Sequence, residues 1–312
     1  MIDVRRLRAL RELADRGTIA AAANALQLTP SAVSQQLAAL EREVGHRLLE
    51  PEGRGVRLTP AAHVLLEHTG SLFAQLERLR ADLDAHAAGE AGEVRIGAFP
   101  TAIVDLVAPA AARLRDEAPR VRLAVTEYEA PAVFDVLAAG RIDVALGMES
   151  AYAPRRDDAR FTRVPLQADV LDAAVPDDHP LAREREIDLR ALADETWVVP
   201  PPGWQCESVL LGACQAAGFT PAMAHRTSDW SAALALVAVE LGVTLVPRLA
   251  QTAPPPGVAI VPLTGAEPPA RHLFAACRGG AETAPALRLV LDALVEAAAR
   301  PREHRSEALH AA

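Results

Sequence analysis

Lysine is missing altogether: all 32 positions that could hold lysine or arginine are arginine. In a chain this rich in alanine the absence reads as genomic bias. It leaves the planar guanidinium as the only strong side-chain cation for phosphate. Cysteine is scarce. Cys206, Cys214 and Cys277 are the three present, and no CxxC pair occurs, which excludes a disulfide framework and fits a reducing compartment. No apolar run reaches bilayer-spanning length, and the opening MIDVRRLRAL lacks a signal-peptide core. The expectation is a cytoplasmic protein, neither exported nor membrane-embedded. Catalytic signatures are missing too: there is no GxSxG, no P-loop, no GxGxxG after a strand and no histidine set at metal-ligand spacing. An enzyme is disfavoured on that ground, and neither a cofactor nor a metal is expected.

What is present is a long chain with ample core material. It has 312 residues, 50% of them hydrophobic, enough for two or three domains of about 150 residues each. The net charge of −9 is unevenly spread: residues 1–60 carry +2 and the remainder −11. An acidic bulk should stay away from polyanions, while one end is free to approach them.

Along the chain the periodicity changes twice. Val4, Leu7, Leu10 and Leu13 recur at helical spacing and predict a first helix. Gly17 breaks it, and Thr18 can cap a second helix over 19–26. Thr29-Pro30 is a strong helix start, a hydroxyl cap followed by proline at the first helical position, and the third helix ends at Gly45. Residues 47–49 and 56–58 read as short strands around the turn Pro51-Glu52-Gly53-Arg54-Gly55, a wing. From 61 to about 87 a long helix carries Leu65, Thr69, Leu72, Leu76, Leu79, Leu83 and His86 at alternating spacings of four and three. That is the seam of a pairing helix. After a Gly-rich hinge at 89–92 the pattern becomes strand, helix, strand, helix, strand over 94–147. It implies a parallel, helix-covered sheet. The chain is expected to cross over near Pro165 to a second lobe with strands at 170–175, 197–199 and 243–246 and helices at 208–217 and 231–241. It then returns for a strand at 273–277 and a helix at 285–300.

With these residues laid out, the chain resembles the LysR-type transcriptional regulators over essentially its full length. The matching stretches are Ala20-Ala21-Ala22-Ala23-Asn24-Ala25-Leu26, Thr29-Pro30-Ser31-Ala32-Val33-Ser34-Gln35-Gln36-Leu37, Leu40-Glu41, Gly45, Leu48-Leu49 and Gly55-Val56-Arg57-Leu58-Thr59-Pro60. In the larger part they are Gly92-Glu93-Val94-Arg95-Ile96-Gly97, the Gly-x-x-Asp segment Gly140-Arg141-Ile142-Asp143, and Leu241-Gly242-Val243-Thr244-Leu245-Val246-Pro247. Three departures stand out: the family commonly has arginine where Gln35 stands, often an arginine near Pro51, and glycine where Ala62 stands. The resemblance implies an α/β protein with a winged helix-turn-helix over 1–58 and a dimerisation helix and hinge over 59–90. An effector-binding domain of periplasmic-binding-protein type would follow over 91–300. Lobe I would take about 91–164 and 268–300, lobe II about 165–267, and 301–312 would be a disordered tail. It further implies double-stranded DNA with a pseudo-palindromic operator, a homodimer that pairs into a homotetramer, contact with RNA polymerase, and no membrane partner.

A recognition helix presents its N-terminal residues to base edges in the major groove. On the third helix these are Ser31, Ser34, Gln35 and Ala38, flanked by Gln36. Gln pairs with adenine, and an alanine methyl meets thymine. Thr29, Pro30 and the free amides of this helix start suit a phosphate, as do Arg54 and Arg57 in the wing and Arg5 and Arg6. The effector cleft is expected at Ala98, Phe99, Pro100 and Thr101, with Thr101 matching the family's effector-contacting hydroxyl. Gly203, Trp204, Gln205, Ser228 and Asp229 would face them. Trp204 and Trp230 read either as an aromatic wall or as core, and Asp229 either as an amine acceptor or as a helix cap. The effector would be a small carboxylate or an amino-acid-like metabolite. The alternative is a thiol-based redox sensor using Cys206 and Cys214, since the peroxide-sensing branch of the family carries its redox pair in this region. Against it, no arginine or histidine lies close in sequence to Cys206 to lower its pKa.

Overall fold

The computed structural model describes residues 2–53, 55–88, 92–251, 254–265 and 268–300. Arg54, the hinge residues 89–91, the side chain of His86 and the tail 301–312 lie outside the described residues. No described helix is long and apolar enough to cross a membrane.

The N-terminal unit is three helices and a hairpin. In α1 (Val4–Arg16) the Asp3 carboxylate caps the start, and Gly17 closes the end in left-handed backbone at φ 73°. Thr18 caps α2 (Ile19–Leu26), and Thr29 Oγ1 caps α3 (Pro30–Val44) by accepting from Ala32 N at 3.2 Å. Leu7, Leu10 and Leu13 of α1 close over Val33, Leu37 and Leu40 of α3. β1 (Leu49–Glu52) and β2 (Gly55–Leu58) pair antiparallel, with Glu50 opposite Arg57. Glu41 Oε1 accepts from the backbone of Leu48 and Leu49 at 2.8 and 3.1 Å, pinning the wing to α3. The first wing strand sits two to three residues later than its sequence pattern indicates and includes Pro51. A two-stranded ribbon tolerates proline because each strand has a free edge.

Thr59 caps the start of α4 (Pro60–Ala88), a helix of 29 residues. The larger unit begins with β3 (Gly92–Ala98). One helical turn, α5 (Pro100–Ala102), runs through a π-helical stretch, Ile103–Val107, into α6 (Ala108–Glu117). Then come β4 (Val121–Glu127), α7 (Ala132–Ala138) and β5 (Val144–Met148). β3 is parallel to both β4 and β5, as a βαβαβ pattern requires. β6 (Phe161–Pro176) is one strand of 16 residues that serves both lobes. Lobe II adds β7 (Thr196–Val199), α8 (Gln205–Ala216), β8 (Ala222–Arg226), α9 (Trp230–Ala238), β9 (Thr244–Pro247) and β10 (Val258–Val261). β11 (Ala270–Arg278) returns to lobe I between β5 and β6, and α10 (Pro285–Ala299) covers that sheet. Each lobe has its own apolar core, one centred on Ile96, Leu106 and Leu146, the other on Leu171, Trp197 and Leu245.

Sequence periodicity places the crossover to lobe II near Pro165; the chain makes it within β6, which runs through Pro165 as one strand, pairing with β11 up to Val170 and with β9 and β10 from Leu171 on. β11 shifts register between His272 and Phe274, and Pro165 sits opposite Phe274 at that irregularity. A missing N–H is tolerated where the ladder is already broken.

Candidate functional site

Two surfaces stand out. The first is the start of α3. Thr29, Ser31, Ser34, Gln35 and Ala38 are exposed and share one side of the helix, while Gln36 is half-buried. Ser34 Oγ donates to Pro30 O at 2.9 Å, and Thr29 Oγ1 lies 3.1 Å from Ser31 Oγ. The hydroxyl of Ser34 therefore faces outward mainly as an acceptor. Pro30 at the first position fixes the backbone without sacrificing a useful N–H. The arginines expected at phosphates are less available than the sequence indicates. Arg57 donates to Glu50 at 2.7 Å across the wing, and Arg6 is paired with Glu43. Both pairs are solvent-reached and cheap to open. Arg5 is exposed.

The second surface is a cavity of about 150 Å³ between the lobes. Phe99, Pro100 and Thr101 come from the β3–α5 junction; Trp204, Gln205, Ser228, Asp229 and Trp230 face them from lobe II. Ala98 and Gly203 stand one residue behind the lining. Ala98 is sealed at the end of β3, and Gly203, at φ 85°, donates its N–H to Glu207. Asp229 Oδ1 accepts from Ala232 N at 2.7 Å, so it caps α9 as well as touching the cavity. Trp204 is 37% exposed and belongs to the wall; the core tryptophan is Trp197, fully buried. Gln205 is buried and reaches across to Ser150 Oγ at 2.7 Å.

Five lining residues were not anticipated: Glu127, Glu129, Met148, Pro200 and Arg271. Arg271 matters most. It is buried at 2% exposure and forked onto the equally buried Asp169, with its Nη2 also 3.2 Å from Thr101 Oγ1. Its guanidinium lies over the Phe99 ring, 5.4 Å from the centroid, and Nη1 is 3.7 Å from Cys206 Sγ. A cation therefore does stand beside Cys206, supplied by a strand 65 residues away in sequence. Burial nonetheless pushes the Cys206 thiol up, with Arg271 pulling the other way, and burial raises Cys214 to about 11. Glu129 is raised to about 7, first by burial, with Arg271 opposing and Glu127 adding to the shift. Asp143, in the Gly-x-x-Asp segment, is structural: it grips Arg95 through Nε and Nη2 at 2.9 Å each.

Against known proteins, residues 4–63 match the family described as bacterial regulatory helix-turn-helix protein, lysR family, and residues 87–299 match the LysR substrate binding domain. The chain belongs to the LysR-type transcriptional regulators. Its relatives include the transcriptional dual regulator GltC of Bacillus subtilis, 29% identical over 81% of this chain and 84% of that protein. A probable hydrogen peroxide-inducible genes activator of Mycobacterium avium is 31% identical over 78% and 77% of the two chains. In fold, this LysR-type regulator is similar to a hydrogen-peroxide-bound cysteine mutant of Corynebacterium glutamicum OxyR. The TM-score is 0.63 at 24% identity, covering 100% of this chain and 96% of that one. The helix-turn-helix and the two-lobed effector domain expected from the sequence are thus the family's own DNA-binding and ligand-binding parts.

Proposed function

We propose that this regulator binds a pseudo-palindromic double-stranded operator as a paired chain, and that a small molecule held between the lobes modulates that binding or the transcription that follows. The winged unit over 1–58 would read DNA, the segment 59–90 would pair two chains, with dimers joining into tetramers, and 91–300 would sense the effector without turning it over. The site of action would be the cytoplasm, with RNA polymerase as a further contact. The observation that carries the DNA side is the exposed face of α3, where Ser31, Ser34, Gln35 and Ala38 lie at the capped helix start. The effector side rests on the cavity between the lobes, with Thr101 and Trp204 on opposite walls. Operator selection from a random-sequence pool, repeated with Gln35→Ala, tests the first. Loss of preference at one base position supports direct readout; a uniform fall in affinity refutes it.

A redox reading has one observation in its favour, the contact of Arg271 with Cys206. Peroxide would convert the thiolate to a sulfenic acid, releasing water once the departing oxygen is protonated. A direct disulfide to Cys214 is blocked as the chain stands: eight residues along α8 separate the sulfurs' backbones by about 12 Å, beyond the roughly 7 Å a disulfide spans. Mass spectrometry after peroxide treatment checks this; an unmodified Cys206 removes the redox reading.

A further inference from the structure

Resting on the reading of the cleft as the effector pocket, we propose that the ligand presents a cationic group, an ammonium or guanidinium on an apolar body, to Glu127 and Glu129. The carboxylates alone would be a solvated rim. Here they share a cleft, partly open to solvent, with Phe99, Trp204 and Trp230, whose faces suit both an apolar body and a cation. The decisive feature is the state of Arg271. The strongest holder of an anion would be an uncompensated cation, and among the described lining residues the arginine, Arg271, is already paired with Asp169, both side chains sealed from solvent. Two more of its N–H groups go to Thr101 and Cys206. Pro100, at the start of the facing helical turn, offers no N–H. With Arg271 and Asp169 cancelling, the charged lining that remains is acidic: Glu127 at the end of β4, Glu129 two residues beyond it, and Asp229 from lobe II. A carboxylate placed there meets like charge, most closely at the half-buried Glu129, while an ammonium meets two acceptors. Of the two effector chemistries left open by the sequence, carboxylate or amino-acid-like, the cleft fits the one that brings a cation.

Glu129 gives the proposal a second handle. It faces Arg271 of β11, Glu127 at the end of β4 and the Cys206 thiol of α8. Burial holds it near pH 7, so the empty cleft keeps it partly protonated at neutrality. A cation binds the ionised form. Affinity must therefore rise as pH rises through this value, with a proton released on binding.

The test uses the full chain and two matched probe pairs, benzylamine against benzoate and 1,4-diaminobutane against succinate. Binding is followed by tryptophan fluorescence and titration calorimetry at millimolar concentration. Expected are saturable binding by at least one amine, none by its matched carboxylate, and affinity about tenfold tighter at pH 8 than at pH 6. Glu129→Gln should weaken the amine about tenfold or more and flatten the pH dependence. Glu127→Gln, at an exposed position, should weaken it as well and keeps the test alive if the first variant misfolds. Binding by a carboxylate that Trp204→Ala weakens and Glu129→Gln strengthens overturns the charge assignment while keeping the cleft. Binding by either class that ignores all three substitutions overturns the cleft reading and the proposal with it. The absence of any response to either amine also overturns the proposal.

Discussion

Arg271 and Asp169 are each 2% exposed, and their pairing ties β11 to β6 at the floor of the cleft. Asp169 also accepts from Leu249 N at 3.0 Å, which brings in the turn after β9. Removing one member strands a charge in a sealed site, so Asp169→Ala should cost about 3–5 kcal/mol, whereas Arg271→Met with Asp169→Leu should recover most of it. Urea unfolding of the three proteins checks this. If the single variant costs no more than the double, the pair is not holding the floor. Glu129 makes the complementary case, because its carboxyl prefers to be neutral in the fold. Its value near 7 lies above the ordinary 4.5. The folded state thus holds a proton that the unfolded chain has lost between those two values, and stability falls as pH rises through the window. Glu129→Gln removes that loss. The variant should be more stable than wild type by about 1–2 kcal/mol above pH 7, after discounting for partial exposure. Below pH 4.5 the difference should vanish. Thermal melts across the pH range give the answer, and a difference independent of pH would mean that Glu129 is charged in the empty cleft.

At the scale of elements, α4 shows what one chain leaves unfinished. Thr69 is buried, but Leu72, Leu76, Leu79 and Leu83 are exposed at 36%, 38%, 55% and 59%. They follow one another at heptad spacing, so the seam read from the sequence is an uncovered stripe in the single chain. Charging it with Leu76→Arg and Leu79→Arg should lower the oligomeric state in sedimentation velocity while leaving helix content unchanged. A variant that sediments as wild type would place the pairing surface elsewhere. Elements with local signals were legible from sequence: the Thr-capped helices, the Gly45 stop and the parallel strands of lobe I. Those that depend on distant partners were not. β8 (Ala222–Arg226) is mostly exposed and carries no apolar alternation, and β6 hides behind Pro165. The cleft divides in the same way. Phe99, Thr101 and Trp204 lie at predictable strand ends and loops. Glu127 and Glu129 become cleft residues only because β4 lies beside β3, and Arg271 finds Asp169 across 102 residues.

Across the whole molecule, the charge split between a basic end and an acidic bulk is bridged by specific contacts as well as by sequence. Arg16 Nη2 of α1 meets Asp135 of α7 at 2.6 Å, and Arg8 Nη2 donates to the carbonyl of Ala138 at the end of that helix at 2.5 Å. Guanidinium groups near a helix C-terminus complement its dipole. Arg160 pairs with Asp15 of α1 while gripping Asp158, and Arg278 pairs with Glu77 of α4 and Asp143. Lobe I thus holds both α1 and α4. The same α7 begins beside the cleft, since Val133 N donates to Glu129 O at 3.1 Å. A helix that starts at the cleft and ends on α1 makes the two units one mechanical piece, provided its terminal contacts carry energy. Most are partly exposed, so each should be modest. A double-mutant cycle on Arg16→Ala and Asp135→Ala should give a coupling of about 0.5–1 kcal/mol at low salt, shrinking as ionic strength rises past about 0.15 M. A coupling indistinguishable from zero at low salt would mean that the Arg16–Asp135 pair does not fasten α1 to α7, leaving Arg8 on the Ala138 carbonyl and Arg160 on Asp15 to tie α1 to lobe I.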